Sequence, residues 1–110
     1  PVTGVFGNND QGELSRLRGC CEELGFAFYQ PPHRLTLDRR KVLLAHDPLE
    51  VPNRLDGIDL VLYGHTHRLL KERRDGALVF NPGECAGHMK GHNTVGIINL
   101  ETLDVELLHF

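Results

Sequence analysis

Long hydrophobic runs, an excess of basic residues and a set of paired cysteines are all missing from this sequence. No apolar run approaches the roughly 20 residues that a bilayer-spanning helix needs, so we expect no membrane segment. Twelve Lys and Arg stand against fifteen Asp and Glu, and the net charge of −3 argues against broad phosphate neutralisation on nucleic acid. Three cysteines, two of them adjacent, make no disulfide framework, and we expect a cytoplasmic location.

The composition that is present belongs to a globular protein. The chain has 110 residues, of which 40% are hydrophobic and 25% charged, and this excludes a disordered protein while leaving room for one core. It opens at Pro1 without an initiator methionine and enters an apolar stretch at once, so we expect a piece of a larger domain. Seven histidines are many for this length, and several follow apolar strands.

The hydrophobic pattern predicts a mixed α/β fold with a strand-rich C-terminal half. Apolar residues at helical spacing predict one helix over residues 13–24, ended by Gly25. Continuous apolar runs are typical of strands buried on both faces, and they occur at residues 42–45 and 59–63. Asp75-Gly76 predicts a hairpin turn. The remaining strands are expected at residues 2–6, 27–29, 35–37, 69–73, 77–80, 94–100 and 104–110.

The sharpest chemical feature is the sequence Gly-His-Thr-His at residues 64–67, directly after an apolar strand. In extended backbone, His65 and His67 would point to one side, at the strand end where α/β folds place ligands. Imidazoles in that arrangement suit a first-row transition metal. The alternative is a polar loop whose histidines are incidental.

Two further strand ends carry polar residues. His46 follows the buried strand 42–45, and parallel neighbouring strands would bring it close to the 64–67 turn. The sequence Gly-Asn-Asn-Asp at residues 7–10 also follows a strand; Asn8 is a candidate oxygen ligand, whereas Asp10 is alternatively a helix cap. Nitrogen and oxygen ligands without thiolate favour manganese, iron, cobalt, nickel or zinc.

These motifs, together with Asn-Pro-Gly-Glu-Cys at residues 81–85, resemble the calcineurin-like metallophosphoesterase superfamily, and most closely its small prokaryotic phosphodiesterases. The resemblance implies a four-layer α/β/β/α sandwich with two divalent metal ions at the strand ends. It also implies hydrolysis of a small phosphodiester by a hydroxide that bridges the two ions. By the same resemblance, one ion is bound by Asn8, His46 and His65, and His67 is a ligand of the other.

The sequence departs from the family pattern at three places. The opening Asp-x-His and Gly-Asp strands do not occur, so we expect residues 1–110 to be the C-terminal two-thirds of one metallophosphoesterase domain. Asn9 stands where many relatives have a histidine that protonates the leaving group; an amide is no general acid, which favours activated diesters. Asp47 replaces a glycine that often precedes a further histidine. Asn9 and Asp10 are our candidate catalytic residues.

Loss of the opening strands would leave unpaired edges on the remaining sheet, so we expect a homo-oligomer, with a strand-exchanged or edge-joined dimer as its simplest form. The alternative function is a non-catalytic, protein-binding scaffold with the same fold, as in a retromer subunit. Retention of the ligand positions discriminates between the two functions. A scaffold is expected to have lost some of them, whereas this sequence keeps all four.

Overall fold

The chain forms one α-helix and three small β-sheets in the computed structural model, which describes residues 1–110. The helix α1 spans Leu14–Leu24, and short 3₁₀ segments span Asn8–Glu13 and Pro48–Glu50. The strands are β1 (Thr3–Val5), β2 (Ala27–Tyr29), β3 (His33–Leu37), β4 (Arg40–Leu44), β5 (Leu60–Leu62), β6 (Leu70–Arg74), β7 (Ala77–Asn81), β8 (Thr94–Ile98) and β9 (Val105–His109). The predicted mixed α/β class is confirmed. No helix combines the length and the hydrophobicity that a membrane crossing requires.

The largest sheet has five strands in the order β3-β4-β5-β7-β6. Its central strands β4, β5 and β7 are parallel, and the edge strands β3 and β6 pair antiparallel to their neighbours. The continuous apolar runs predicted this arrangement, because a central parallel strand is covered on both faces. All five residues of β7 are buried. Four residues of the other two central strands are buried as well: Val42, Leu43, Leu60 and Val61.

Each face of this sheet carries its own hydrophobic cluster. On one face, Leu43 and Val61 pack with Leu55 and Ile58, which lie in the loop between β4 and β5. On the other face, the cluster of Val42, Leu60, Leu78, Phe80 and Leu103 is flanked by half-buried residues of β8, β9 and their connection. One face is therefore covered by a loop and the other by a second layer of strands.

The helix begins and ends where the sequence predicted it, to within one residue at its start. Gly25 ends α1 in the left-handed region, at φ 70°, and its amide donates to the carbonyl oxygens of Cys21 and Glu22. The helix connects the parallel pair β1–β2, in which Thr3 of β1 lies opposite Ala27 of β2. No residue of α1 is buried, and Leu24 at its end is 64% exposed.

The hairpin predicted at Asp75-Gly76 is present, and the two predicted closing strands pair with each other. Asp75 and Gly76 connect β6 to β7 with positive φ at both positions, 53° and 80°, which is the signature of a type I′ turn. The closing strands β8 and β9 pair antiparallel, with Thr94 opposite His109. The Asp75-Gly76 hairpin confirms that its turn chemistry was readable in the sequence.

An apolar cavity of about 410 Å³ separates the β1–β2 pair from the β8–β9 pair. The inner face of the five-stranded sheet forms its floor through Leu44, Leu62 and Phe80, while β1 and β8 line its sides. A Cβ at position 96 would lie only 2.5 Å from the ring of Phe80. Glycine at this position therefore allows β8 to approach the floor of the cavity closely. The cavity thus lies between two sheets of two strands each.

Both strands that line this cavity present an unpaired edge. In β1, residues 2 and 6 make the hydrogen bonds to β2, so the backbone groups of Thr3 and Val5 are directed to the opposite edge. In β8, residues 93 and 99 make the bonds to β9, so those of Gly96 and Ile98 are directed away from β9. Edges of this kind pair readily with another strand.

The packing predicts that stability depends on the five-stranded sheet. Replacing the fully buried Leu78 by Ala should lower the free energy of unfolding by about 2–5 kcal/mol, because a cavity would remain between β7 and the second layer. The matched control is Leu49→Ala, which alters a side chain that is 91% exposed and should change stability by less than about 0.5 kcal/mol. Urea unfolding followed by circular dichroism, at one protein concentration, measures both. Equal losses would contradict the assignment of the core.

Candidate metal centre

The register of two parallel strands places His46 beside the Gly-His-Thr-His turn. Leu44 of β4 lies opposite Leu62 of β5. The ladder continues past the strand ends, because Ala45 N–H donates to Leu62 O and Gly64 N–H donates to His46 O, at 2.9 and 3.0 Å. His46 is therefore level with Gly64, one residue before His65. The prediction that parallel strands bring these two histidines together is confirmed.

Three side-chain donor atoms meet at this point. His46 Nε2 lies 2.6 Å from Asn8 Oδ1 and 3.0 Å from His65 Nδ1. Asn8 follows β1, which belongs to the β1–β2 sheet, whereas both histidines follow strands of the five-stranded sheet. The three side chains therefore come from two different sheets. Gly7 permits the approach, since a Cβ there would lie 3.1 Å from His46 Cε1.

Two carboxylates organise the histidine side of the site. Asp47 Oδ2 lies 3.4 Å from His65 Nε2, while Nδ1 of the same ring faces His46. Glu50 Oε1 accepts hydrogen bonds from the backbone amides of His46 and Asp47, at 2.8 and 2.7 Å, and so holds the end of β4. Asp47 thus places a carboxylate beside the site.

The chemistry of these donors fits a divalent transition metal. An amide oxygen and two imidazole nitrogens are suitable ligands, and ligands with bonds of about 2.0–2.2 Å lie roughly 3 Å apart around one ion. The observed separations of 2.6 and 3.0 Å are of that size. No group of three His, Cys, Asp or Glu residues is arranged to hold a metal ion. The third donor at this point is instead the side-chain amide of Asn8. The arrangement is half of a site for one ion, with open positions for further ligands.

His67 lies in a separate contact. Its Nδ1 lies 2.6 Å from Glu84 Oε2, which leaves Nε2 available to a ligand and fixes the orientation of the ring. The bond from His67, with a second from the Ala86 amide, holds the pKa of the Glu84 carboxyl below its usual value. The structure shows no contact between His67 and the other candidate ligands, so its role at a second ion stays a prediction.

The expectation of extended backbone through the turn was wrong. His65 and His67 both have positive φ, 64° and 58°, a region that non-glycine residues rarely occupy. The amide of Thr66 donates to Gly64 O at 2.7 Å, which closes a tight turn around His65. The directions of the two rings are therefore set by a tight turn with left-handed backbone at both histidines, and not by the alternating side-chain directions of a β-strand.

The candidate catalytic residues lie next to Asn8. Asn9 is exposed, and its Oδ1 accepts a hydrogen bond from Asn8 Nδ2 at 3.3 Å, which turns the Asn8 Oδ1 towards His46. Asp10 Oδ2 accepts from the Gly7 amide at 2.6 Å and caps the 3₁₀ segment. The structure thus gives Asp10 a capping contact, and the catalytic role of both residues stays a prediction. Cys85 is exposed and lines the apolar cavity instead.

A second cavity of about 390 Å³ adjoins Asn8 and His46. Its polar wall contains the amides of Gln11 and Gln30, which bond reciprocally at 3.1 Å. Asp47 and Glu50 also line it, and no Lys or Arg does. The cavity offers space for a small molecule directly beside the three converging donors.

The family model of the calcineurin-like phosphoesterase superfamily domain matches residues 1–103. The chain belongs to this superfamily. The mixed α/β fold and the strand-end motifs are those of a calcineurin-like phosphoesterase, as the sequence predicted. Membership covers almost the whole chain and includes all six candidate site residues: Asn8, Asn9, Asp10, His46, His65 and His67.

Two prokaryotic phosphodiesterases are similar in sequence. The chain is 32% identical to phosphodiesterase MJ0936 of Methanocaldococcus jannaschii over 105 residues, which are 91% of this chain and 63% of the relative. It is 30% identical to phosphodiesterase YfcE of Escherichia coli K12 over 104 residues, which are 84% of this chain and 56% of the relative. The chain therefore spans less than two thirds of the length of these relatives.

Two solved structures share the fold. An archaeal phosphodiesterase superposes with a TM-score of 0.79 at 27% identity, over 98% of this chain and 68% of that one. A single mutant of Vps29 from Entamoeba histolytica superposes with a TM-score of 0.50 at 16% identity, over 99% of this chain and 82% of that one. At that identity, the second likeness shows a common fold alone.

Sequence reasoning assigned no role to Glu84 or Asn81, although both lie in the Asn-Pro-Gly-Glu-Cys motif. Glu84 forms a hydrogen bond with His67, and the fully buried Asn81 donates hydrogen bonds to the turn that carries both histidines. Their position after the apolar run of β7, at the same sheet edge as His46, was the available signal. Their contacts depend on how the 81–85 turn folds back, which no local pattern encodes.

The geometry predicts one weak binding site for a divalent ion in this chain. Calorimetric titration of the 110-residue chain with Mn²⁺ should give one ion per chain, and His46→Ala or His65→Ala should each weaken binding by about a hundredfold or more. His92→Ala is the matched control, because His92 is exposed and its side chain makes no hydrogen bond to the candidate ligands, so the affinity should be unchanged. Two tightly bound ions per chain, or equal affinity in all three variants, would contradict this assignment.

Proposed function

We propose that the full-length protein containing this chain is a metal-dependent phosphodiesterase. The observation that carries the proposal is the meeting of Asn8, His46 and His65 beside a cavity of about 390 Å³. Similarity to two phosphodiesterases supports it, and so does membership of the calcineurin-like phosphoesterase superfamily. The substrate class we propose is a small phosphodiester.

The proposed cofactors are two divalent ions of manganese, nickel, iron, cobalt or zinc. When bound, such ions supply positive charge to phosphoryl oxygens and lower the pKa of a water molecule that attacks phosphorus. In this chain, Asn8, His46 and His65 would hold one ion, and His67, oriented by Glu84, would contribute to the other. Glu84, bonded to His67 Nδ1, leaves Nε2 of that ring free for binding, and Asp47 places a carboxylate beside His65 Nε2.

The cavity beside the site favours a diester over a monoester. Two carboxylates, three amides and the His46 imidazole supply its polar lining, with no lysine or arginine to offset a second negative charge on phosphate. A diester carries one negative charge and has a second esterified group that can occupy the cavity beside Gln11 and Gln30. Asn9 offers no acidic proton to a departing alcohol, so leaving groups that depart as stable anions are favoured.

The scaffold function of a retromer-type protein is the alternative, and no contact in this chain favours it. The likeness to Vps29 extends to the fold alone. A scaffold does not need Asn8, His46 and His65 to meet with their donor atoms together, whereas a catalyst does. We propose the cytoplasm as the compartment, since all three cysteines are free.

The complete enzyme provides the test of this function. With Mn²⁺ or Ni²⁺, the full-length protein should hydrolyse bis(p-nitrophenyl) phosphate faster than p-nitrophenyl phosphate, and a chelator should abolish both activities. His46→Ala and His65→Ala should each lower kcat by orders of magnitude, because loss of a ligand removes both charge and geometry. His92→Ala should retain the activity. A metal-loaded protein that hydrolyses no phosphoester in a broad panel would favour the scaffold.

We further propose that residues 1–110 are the C-terminal two-thirds of one domain and that this chain by itself forms a homo-oligomer. It exposes 7469 Å², whereas a folded monomer of 12.4 kDa is expected to expose about 6,100 Å². The excess of roughly 1,300 Å² exceeds the roughly 800 Å² that one partner buries in a stable interface. The unpaired edges of β1 and β8, beside an apolar cavity, supply the surface for pairing with a second copy.

Light scattering of the 110-residue chain tests the oligomer. We expect a dimer or larger assembly at micromolar concentration, whose thermal midpoint rises with protein concentration. Ile98→Pro should weaken assembly, because proline removes the N–H that β8 directs away from β9 while leaving the β8–β9 bonds at positions 97 and 99. A compact monomer that melts cooperatively, with a midpoint independent of concentration, would overturn the proposal.

A further inference from the structure

A single buried amide lies between the turn that carries His65 and His67 and the turn that carries Glu84. Asn81 is the last residue of β7, and its side chain is fully buried. Its Nδ2 donates to Gly64 O at 3.0 Å and to Thr66 Oγ1 at 3.1 Å, and its Oδ1 accepts from the Gly83 amide at 2.9 Å. Both N–H groups and the carbonyl oxygen of the amide are therefore used, all within these two turns.

The two bonds from Nδ2 are placed on either side of His65. Gly64 and Thr66 are its chain neighbours, and the Thr66 amide also donates to Gly64 O across it. The Thr66 hydroxyl accepts a further bond from the Arg68 amide at 3.2 Å, which spans His67. Every bond that holds this turn closed thus ends at Gly64 O or Thr66 Oγ1, the two atoms that Asn81 contacts.

Positive φ at His65 and His67 makes this support necessary. A non-glycine residue in the left-handed region is strained, and two such residues separated by one position persist only where surrounding contacts enforce them. Both rings are exposed and contribute little packing of their own. The enforcing contacts are therefore polar, and the fully buried Asn81 amide, at the end of β7, supplies two of them.

The carbonyl oxygen of Asn81 organises the opposite turn. It accepts from the Gly83 amide, and Gly83 has φ 92° and packs so closely that a Cβ would lie 3.1 Å from Leu69 N. Glu84 follows directly and bonds to His67 Nδ1. One amide therefore controls the backbone that directs both histidines and the position of the carboxylate that holds His67.

We propose that Asn81 is a positioning residue that sets the orientation of His65 and His67 for metal binding. The inference rests on the proposed metal site, and it assigns Asn81 no contact with metal or substrate. Asn81 acts through Thr66 Oγ1, Gly64 O and the Gly83 amide. Removing either the Asn81 amide or the Thr66 hydroxyl, which together form the Asn81–Thr66 link, should weaken metal binding more than it weakens folding.

The decisive experiment changes the exposed end of the link, where folding is least disturbed. Thr66→Val keeps the shape of the side chain but removes the oxygen that accepts from Asn81 and Arg68. Calorimetric titration with Mn²⁺ should show about tenfold weaker binding, while the urea unfolding midpoint stays that of the original chain. Thr66→Ser keeps the hydroxyl and should restore the affinity. Equal affinity in Thr66→Val and the original chain would overturn the proposal.

A second pair of variants separates positioning from loss of a buried amide. Asn81→Asp removes both donors and should weaken Mn²⁺ binding by about ten- to a hundredfold. Asn93→Asp is the matched control: Asn93 is 5% exposed, and its Nδ2 donates to Met89 O and Phe110 O, away from the histidine turn. It should lose stability but keep its affinity for Mn²⁺. Equal losses of affinity in both variants would reduce Asn81 to a structural residue.

Spectra of the metal-free chain distinguish failure of this inference from failure of the proposed function. If the original chain binds no Mn²⁺, the metal site fails, and NMR of the histidine rings still tests the positioning. In Thr66→Val, the ring signals of His65 and His67 should move while those of His92 and His109 stay. Unmoved signals for His65 and His67 would overturn the positioning role of Asn81.

Discussion

The candidate site depends on the parallel register between β4 and β5. That register continues beyond the last paired residues, through the bond from the Gly64 amide to His46 O, and so makes His46 level with the start of the histidine turn. A shift by one residue would turn every side chain of β4 to the opposite face of the sheet. Val42 and Leu43 would then each face the hydrophobic cluster on the opposite side of the sheet, and His46 would move away from His65. Burial of the strands and assembly of the ligands are thus enforced by the same hydrogen-bond ladder.

Two levels of support surround these ligands. The sheet fixes where each strand ends, and polar contacts then fix where each ring points. Asp47 faces His65, Glu84 holds His67, and Asn9 orients the Asn8 amide. Three of the candidate ligands, Asn8, His65 and His67, are exposed, so packing cannot hold them. Hydrogen bonds to carboxylates and to one buried amide perform that role, which is why the residues next to the ligands matter as much as the ligands.

The molecule is less compact than its two well-packed clusters alone would make it. Its two hydrophobic clusters are both organised by the five-stranded sheet, while the β1–β2 and β8–β9 pairs lie beside an apolar cavity with their inner edges unpaired. The radius of gyration is 14.3 Å, against about 13 Å for a compact chain of this length. A pair of strands is marginal by itself, and further strands across that gap would join the two pairs into one sheet.

The sequence by itself determined the elements and most of the ligand candidates. Continuous apolar runs identified β4 and β5, Gly25 and Asp75-Gly76 identified a helix end and a hairpin, and polar residues after buried strands identified His46 and His65. These features are local, because periodicity, turn chemistry and strand ends are set by neighbouring residues.

Only the tertiary structure decided how these pieces meet. Asn8 contacts His46 from a different sheet, and the histidine turn has left-handed and not extended backbone. Glu84 and Asn81 form hydrogen bonds with this turn from positions 15 or more residues away in the chain. Nothing local to the Gly-His-Thr-His sequence demands two strained residues. They are held by a buried amide whose partners are chosen by the order of strands in the sheet, and strand order is a property of the whole fold.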